Sequence, residues 1–524
     1  MSVSPSSLAS IPVPDGKHFS SESHEQKSVT TELPTYPEIQ LSPAQIRSAL
    51  SRWLPESSIL ISEESKRPYE TDGLSAYRQM PYVVVLPANE KEVQAVLRYA
   101  HEQRIPVVAR GSGTGLSGGA LPHARGILLS LARLNRILAI DPLARTVRVQ
   151  PGVRNLAISQ AVAPHGLYYA PDPSSQIACS IGGNVAENSG GVHCLKYGLT
   201  FHNVMSIRVL TMSGDLLELG SEAPETVGYD LMALMIGSEG LLAVITEIIV
   251  KVIAKPQTAK VILASFDRIE QAGDAVAQII ASGIIPAGLE MMDRLATRAA
   301  EDFVHAGYPV EAAAVLLCES DGLPIVVDEE LARMKEILES AGASEIRVAR
   351  DDDERQKFWA GRKAAFPAVG RLAPDYYCID GTIPRSRLGE VLTQIAHWSQ
   401  EFGLEVANVF HAGDGNLHPL ILYDAAIPDA FEKTEALAAK ILELCVAMGG
   451  TITGEHGVGV EKINQMCLQF GTEELEIFHG IRKAFDPTGL LNPGKAIPTL
   501  QRCAEIGGMH VHENRLPFPE LPRF

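Results

Sequence analysis

Residues 110–119 read Arg110-Gly-Ser-Gly-Thr-Gly-Leu-Ser-Gly-Gly119, with five glycines in ten positions, directly after the apolar run Pro106-Val107-Val108-Ala109. Glycine lets a ligand approach the backbone closely, and consecutive bare N–H groups in such a turn form a concave anion site. A phosphate or pyrophosphate is the ligand that fits; a glycine-rich surface turn is the structural alternative. Gly113-Thr-Gly115-Leu-Ser-Gly118 also satisfies G-x-G-x-x-G. The Rossmann form of that pattern, however, opens a helix and seats its pyrophosphate on the helix N-terminus. Here Pro122 and Gly126 follow too soon for a helix of ordinary length. Asp141 lies near the spacing of a ribose-binding acid, but no crossover helix precedes it. The reading is a phosphate loop between strands of a different fold.

Around this loop, Tyr82 to Ala254 is β-rich with short helices. Tyr82–Leu86, Ile127–Leu131, Ile137–Ile140, Thr146–Val149 and Val204–Met212 read as strands, and Asn89 caps a helix ending near Gln103. Pro151-Gly152 turns the chain into a helix over 153–163. Two more small-residue stretches follow the first. Pro171-Asp172-Pro173-Ser174-Ser175 leads into a glycine cluster over residues 180–191, and Gly237-Ser238-Glu239-Gly240 precedes the apolar run 241–252. Three such turns in one domain suggest a long ligand lying along backbone, as a dinucleotide does; tight packing of helix on sheet is the alternative for the second and third. Before this domain, residues 1–40 are rich in Ser, Pro, Thr and Glu and read as a mobile extension. Ser42-Pro43 starts a helix running to about Trp53, within a helical segment spanning 41–77.

The 524 residues allow two or three domains with ample core. A net charge of −18 argues against a nucleic-acid partner. No run of 18 apolar residues is present, so no membrane-spanning helix is expected, and no basic segment followed by an apolar core suggests a signal peptide. Seven cysteines, an odd and widely spaced set without C-x-x-C, read as reduced thiols and exclude a ferredoxin-type cluster carried by this chain.

Lys255-Pro256 marks a boundary, beyond which strands and helices alternate as antiparallel sheet layered with helices, an α+β domain. Phe410 to Tyr423, Phe431 to Met448 and Thr451 to Gly459 continue it, and helices are expected near 460–470 and 473–485. In Phe410-His411-Ala-Gly413-Asp414-Gly415-Asn416-Leu-His418, Asp-Gly signals a hairpin. A two-residue turn there sets His411 directly across from His418, on one sheet face, where two imidazoles can chelate a divalent metal; a stacked histidine pair is the alternative. Glu455, in Thr451-Ile-Thr-Gly454-Glu455-His456-Gly457, offers a third ligand. Adjacent extended residues point opposite ways, so His456 is expected to turn elsewhere and serve as acid/base. Arg362 is a candidate carboxylate clamp, with an exposed helix arginine as the alternative.

The ordered set RGSGTGLSGG, PDPSSQIACSIGGNVAENSGG, GSEGLLAVIT, HAGDGNLH, GEHGVG and LLNPGK resembles the FAD-linked oxidases of the vanillyl-alcohol oxidase superfamily, over residues 45 to the C-terminus. The resemblance implies a two-subdomain FAD-binding domain of the PCMH type over 78–256. It also implies a C-terminal α+β cap domain with antiparallel sheet over 257–497, followed by an extended tail over 498–524. It assigns non-covalent FAD to Arg110, Gly111, Ser112, Gly113, Thr114, Gly115, Ser117, Gly118, Pro171, Asp172, Ser174, Ser175, Gly182, Gly183, Asn188, Ser189, Gly190, Gly240, Ile245 and Asn492. Members with a linked flavin often have histidine where Thr114 stands. His411, His418 and Glu455 match ligands of a divalent metal (Zn, Mn or Fe) in D-2-hydroxyacid dehydrogenases, His456 their substrate base, and Arg362 a substrate-binding arginine. Relatives acting on 2-hydroxyglutarate have lysine at the position of Cys378 and asparagine at that of Leu420, so a small monoacid is expected. The implied reaction is oxidation of glycolate to glyoxylate, or of D-lactate, by hydride transfer to FAD. Electrons would pass on to a second flavin-type subunit and an iron–sulfur subunit, at the inner face of the cell membrane. A metal-dependent hydrolase using the same histidines is the alternative from another class.

Overall fold

Three β-strands carry the glycine loop. Val83–Val85, Ile127–Ser130 and Val107–Arg110 run parallel in that order, with Ile59–Leu60 antiparallel on the outer edge. Parallel neighbours need a crossover, usually helical. The first crossover is the helix Glu90–Glu102, whose first turn is closed by Asn89 Oδ1 accepting from Glu92 N–H at 3.1 Å. The second, residues 111–126, contains no helix at all: the glycine stretch is itself the connection between two adjacent strands. The computed structural model describes residues 40–223, 228–499 and Cys503. The stretches read as N-terminal extension and as extended tail, with His510 and His512, lie outside them but for their innermost residues. The described residues belong to one compact unit.

A five-stranded antiparallel sheet follows, in the order Ile137–Asp141, Thr146–Val149, Val244–Lys251, Val204–Leu210, Leu216–Gly220. Ile158, Val162, Ile181 and Val185 of two helices, Asn155–Val162 and Ile181–Glu187, share its apolar core. Residues 258–423 build a seven-stranded sheet in which every neighbouring pair is antiparallel. Its order is Glu345–Val348, Thr258–Phe266, Ala314–Gly322, Gly288–Asp293, Val406–Phe410, Pro419–Tyr423, Asp375–Cys378. Alternate residues serve two cores: Ile262, Ala264 and Phe266 enter one, Val261 and Leu263 the other. Helices cover both faces, so these strands read as continuous apolar runs rather than as alternation. The architecture is α+β.

Several local expectations are corrected. The segment 41–77 contains a strand, Ile59–Leu60, besides the helix Pro43–Leu50. The glycine cluster at 180–191 is mostly helix, ended by Asn188 in the left-handed region. Residues 451–459 form no strand beyond a bridge at Thr451, and the expected helix over 460–470 shrinks to Met466–Gln469. The cause is competition for backbone donors. Gly454, Glu455 and His456 N–H donate to Asp380, Val458 and Gly459 N–H to Glu239, and Val460 and Glu461 N–H to Ser117 O. The cysteines are not all reduced: Cys467 and Cys503 form a disulfide, where Ala496, Ile497 and Cys503 pack in one cluster with Phe470 and Phe478. The other five are buried free thiols.

Candidate active site

A cavity of about 510 Å³ begins at the glycine loop and ends at His418, Glu455 and His456. Of the expected cofactor residues, Arg110, Gly111, Ser112, Gly113, Thr114, Gly115, Ser174, Ser175, Gly182, Gly183, Ser189, Gly240 and Ile245 line it. Ser117, Gly118, Pro171, Asp172, Asn188, Gly190 and Asn492 do not line it. Asn492, for instance, donates to Gly119 O at 3.0 Å and Glu239 O at 2.7 Å, tying the first and third glycine turns together. An added Cβ at Gly115 would meet nothing within 4 Å, and Ser180 Oγ on the wall is buried without a partner. Bare backbone, open space and an unpaired hydroxyl are what a flat, polar dinucleotide fills, so the residues fit FAD.

At the far end three donor atoms converge. Glu455 Oε1 lies 3.1 Å from His411 Nε2 and 3.3 Å from His418 Nε2. The two imidazole rings sit 5.1 Å apart at 82°. They reach this position by a different register from the one expected. The turn holds residues 412–415, with Gly415 at φ 74°, so His411 pairs with Asn416. His418 is the diagonal neighbour, two residues further on the same face. The slip is even, so both rings stay on one side. Both ring nitrogens of His418 are buried without a hydrogen-bond partner. An unpaired buried imidazole beside a second imidazole and a carboxylate is a donor set suited to a divalent cation.

His456 does not turn away from Glu455. The 453–456 loop bends around the buried carboxylate of Asp380, which accepts from Gly454 N–H at 3.0 Å, His456 N–H at 2.8 Å and Thr453 Oγ1 at 2.6 Å. Both side chains reach the same cavity, and the His456 ring stacks on His418 at 4.8 Å and 1°. Asp380, His418 and His456 form a second group whose donor atoms lie within 4.8 Å of one another. Burial lowers His456 to about 4, against the opposing pull of Asp380, so its ring is neutral. Burial pushes Glu455 upward, but the hydrogen bond and charge of His411 outweigh it and hold the carboxyl at about 2. Asp380 stays well below the carboxylate range despite burial, because His456, Lys462 and His418 face it.

Arg362 is neither exposed nor on the cavity wall. It is 1% exposed, and its Nη2 pairs with Glu290 Oε2 at 2.5 Å. Glu290 Oε1 in turn meets His411 Nδ1 at 2.8 Å. Carboxylate partners of this kind fix the orientation of a ligand imidazole. Glu290 and Asp380 were both missed in the sequence. Glu290 had a signal, an acid inside the apolar strand Gly288–Asp293; Asp380 had none beyond its place before Gly381. Cys378 and Leu420 pair directly across two strands and are buried in apolar core.

Comparison with known proteins agrees with this geometry. Residues 81–220 match the FAD binding domain family, and residues 255–496 match the C-terminal domain of FAD linked oxidases. Glycolate oxidase subunit GlcD of Escherichia coli K12 is 63% identical over 476 residues, 91% of this chain and 95% of that protein. The Bacillus subtilis protein of the same name is 39% identical, over 83% of this chain and 93% of that one. D-lactate dehydrogenase of Anaerostipes hadrus is 32% identical, over 83% and 94%. Among solved structures, 4-ethylphenol oxidase from Gulosibacter chungangensis shares the fold at TM-score 0.73 and 17% identity, covering 87% of this chain and 98% of that one. p-Cresol methylhydroxylase does so at 0.73 and 16%, covering 87% and 97%. Both halves of the chain, and relatives similar over almost their whole length, lead to one conclusion: the chain belongs to the FAD-linked oxidase family and is an FAD-dependent oxidoreductase.

Proposed function

We propose that the chain oxidises glycolate to glyoxylate as the flavoprotein subunit of a larger complex. One observation carries the reading: a single cavity joins the glycine loop to His418, Glu455 and His456. FAD, when bound, supplies the two-electron acceptor for the hydrogen on the hydroxyl-bearing carbon. His411, His418 and Glu455 would hold a divalent metal (Zn, Mn or Fe), which would polarise the substrate hydroxyl and carboxylate. His456 is neutral and faces the same space, so it is the group placed to take the hydroxyl proton. Arg362 pairs with Glu290, which meets His411, and its guanidinium nitrogens, buried without a hydrogen-bond partner, keep it the candidate for the substrate carboxylate. Cys378 and Leu420 pair in apolar core and offer no polar group for a second substrate carboxylate, which favours a small monoacid. The domain division at 256/257 follows the change from the first sheets to the seven-stranded one.

D-lactate is the second reading, on the strength of the A. hadrus relative. A metal-dependent hydrolase is disfavoured by the glycine-lined half of the cavity, which such an enzyme would not need. No helix among the described residues is long and apolar enough to cross a membrane, so contact with the inner face of the membrane would run through partner subunits of flavin and iron–sulfur type. Anaerobic mixing of the flavin-loaded protein with glycolate, D-lactate and L-lactate tests the reading. Glycolate should bleach the flavin fastest, and a flavin left unbleached by every 2-hydroxy acid would refute it.

A further inference from the structure

Glu187 lines the cavity and takes no part in the reaction proposed above. It is the last residue of the helix Ile181–Glu187, and its side chain meets two loops that are both glycine at the point of contact. A Cβ at Gly119 would lie 2.7 Å from Glu187 Oε1, and a Cβ at Gly457 would clash with Oε2. Gly119 ends the glycine loop and Gly457 follows His456, so this carboxyl stands where the glycine loop meets the reacting end.

The charge state of Glu187 follows from its neighbours. Glu239 reaches the same place, since a Cβ at Gly457 would meet its carboxyl at 3.1 Å. Glu239 accepts from Val458 N–H and Gly459 N–H, each at 2.7 Å, which favours its anion. Glu187 Oε2, by contrast, is buried without a hydrogen-bond partner. Of two adjacent buried carboxyls, the one without donors keeps the proton. A position at a helix C-terminus opposes negative charge as well. Burial first, then Glu239 and Asp72, push Glu187 well above the usual carboxylate range, against the pull of Lys462 and Lys495. In this form the shut-away Oε2 is a carbonyl oxygen. The O–H is then on Oε1, beside the wall residue Gly119.

We propose that Glu187 is a further catalytic residue, its carboxylic acid donating a hydrogen bond to the ring system of the bound flavin and so favouring the reduced cofactor. The ring is the partner because oxidation requires it beside His456, the residue before Gly457. Two electrons entering a flavin add negative charge to its ring nitrogens and oxygens, so a donor there holds the reduced form more tightly than the oxidised one. The proposal rests on the cavity as the FAD site and not on which 2-hydroxy acid is oxidised.

The test is the two-electron reduction potential of the flavin, read by equilibration with a redox dye in the flavin-loaded parent, Glu187→Gln and Glu187→Leu. No substrate is needed, so a failure here is distinct from a failure of glycolate to react. A hydrogen bond to a charged acceptor is worth about 10- to 100-fold in an equilibrium constant, or about 30–60 mV for a two-electron couple. Glu187→Leu should lower the potential by that amount. Glu187→Gln keeps a donor and adds no charge, so it should stay within about threefold of the parental equilibrium. The infrared difference between oxidised and reduced protein is a second readout, independent of whether Glu187→Leu holds its cofactor. The carbonyl band of a protonated carboxyl should shift in the parent and be missing in Glu187→Gln. Three results overturn the proposal: a parental potential in Glu187→Leu, an equilibrium shifted about tenfold or more towards the reduced form in Glu187→Gln, the mark of a removed negative charge, or no carboxylic acid band lost in Glu187→Gln.

Discussion

At the scale of single residues, the donor types were legible and their directions were not. His411, His418 and Glu455 announce metal chemistry by type and spacing, and the structure brings them together. Thr114 lines the cavity and offers only a hydroxyl, so the flavin is expected to be non-covalent. Trichloroacetic acid should leave the yellow colour in the supernatant; colour in the pellet would contradict this. Arg362 was legible as a candidate clamp by type, but its ion pair with Glu290, far off in sequence, was not. That pair makes a further prediction. Glu290→Gln leaves the Arg362 guanidinium buried without its carboxylate, and breaking a buried pair from one side costs about 3–5 kcal/mol. It also frees the His411 ring, which typically lowers metal affinity about 10–100-fold. Denaturant unfolding and metal titration should both show the loss, and a variant with parental stability would show that the pair carries no structural weight.

At the scale of elements, regular pieces were readable and the irregular ones that build the site were not. The helix Glu90–Glu102 begins where Asn89 says it should. The hairpin after Phe410 was placed, but its register was two residues off, because four residues rather than two make the turn. The helix expected over 460–470 was read too long, and residues 451–459 are irregular, since backbone donors over 454–461 go to Asp380, Glu239 and Ser117, acceptors invisible locally. A second contact between elements is testable through pH. His193 bridges Asp172, beside the glycine-rich half, to Glu319 in the strand Ala314–Gly322, at 3.0 and 3.3 Å. Arg355, Lys363 and the Trp359 ring also face this group. A free imidazole titrates near 6.5, and His193 is raised to about 10. The fold therefore binds the charged form, and the stabilisation is complete below pH 6.5 and lost as pH rises from there to about 10. Asp172, brought down to about 2 despite burial, is lost only in acid and leaves this window alone. His193→Gln should flatten the fall in unfolding free energy between pH 6.5 and 10, a difference on the order of a few kcal/mol. Parallel curves for parent and variant would remove His193 from the account.

At the scale of the whole molecule, one half presents bare backbone to a cofactor and the other presents nitrogen and carboxylate donors, and the cavity between them is the functional unit. The motif order alone foretold this division, whereas the even split of apolar residues over both faces of the seven-stranded sheet hid its strand limits. Electrons gathered here must leave. The sequence has no C-x-x-C or haem-attachment motif, so a partner should carry them: affinity capture from native cells should bring down subunits holding iron–sulfur clusters, and full quinone-reducing activity in the lone chain would count against that. The central claim, that His456 takes the hydroxyl proton beside a metal held by its neighbours, is tested most directly by the anaerobic flavin reduction rate with glycolate in His456→Gln, measured with its metal content beside His411→Ala. His456→Gln should keep FAD and metal yet reduce about 10²–10⁴-fold more slowly, while His411→Ala loses metal and activity together. Reduction of His456→Gln at the parental rate, or loss of its metal as in His411→Ala, would contradict the account.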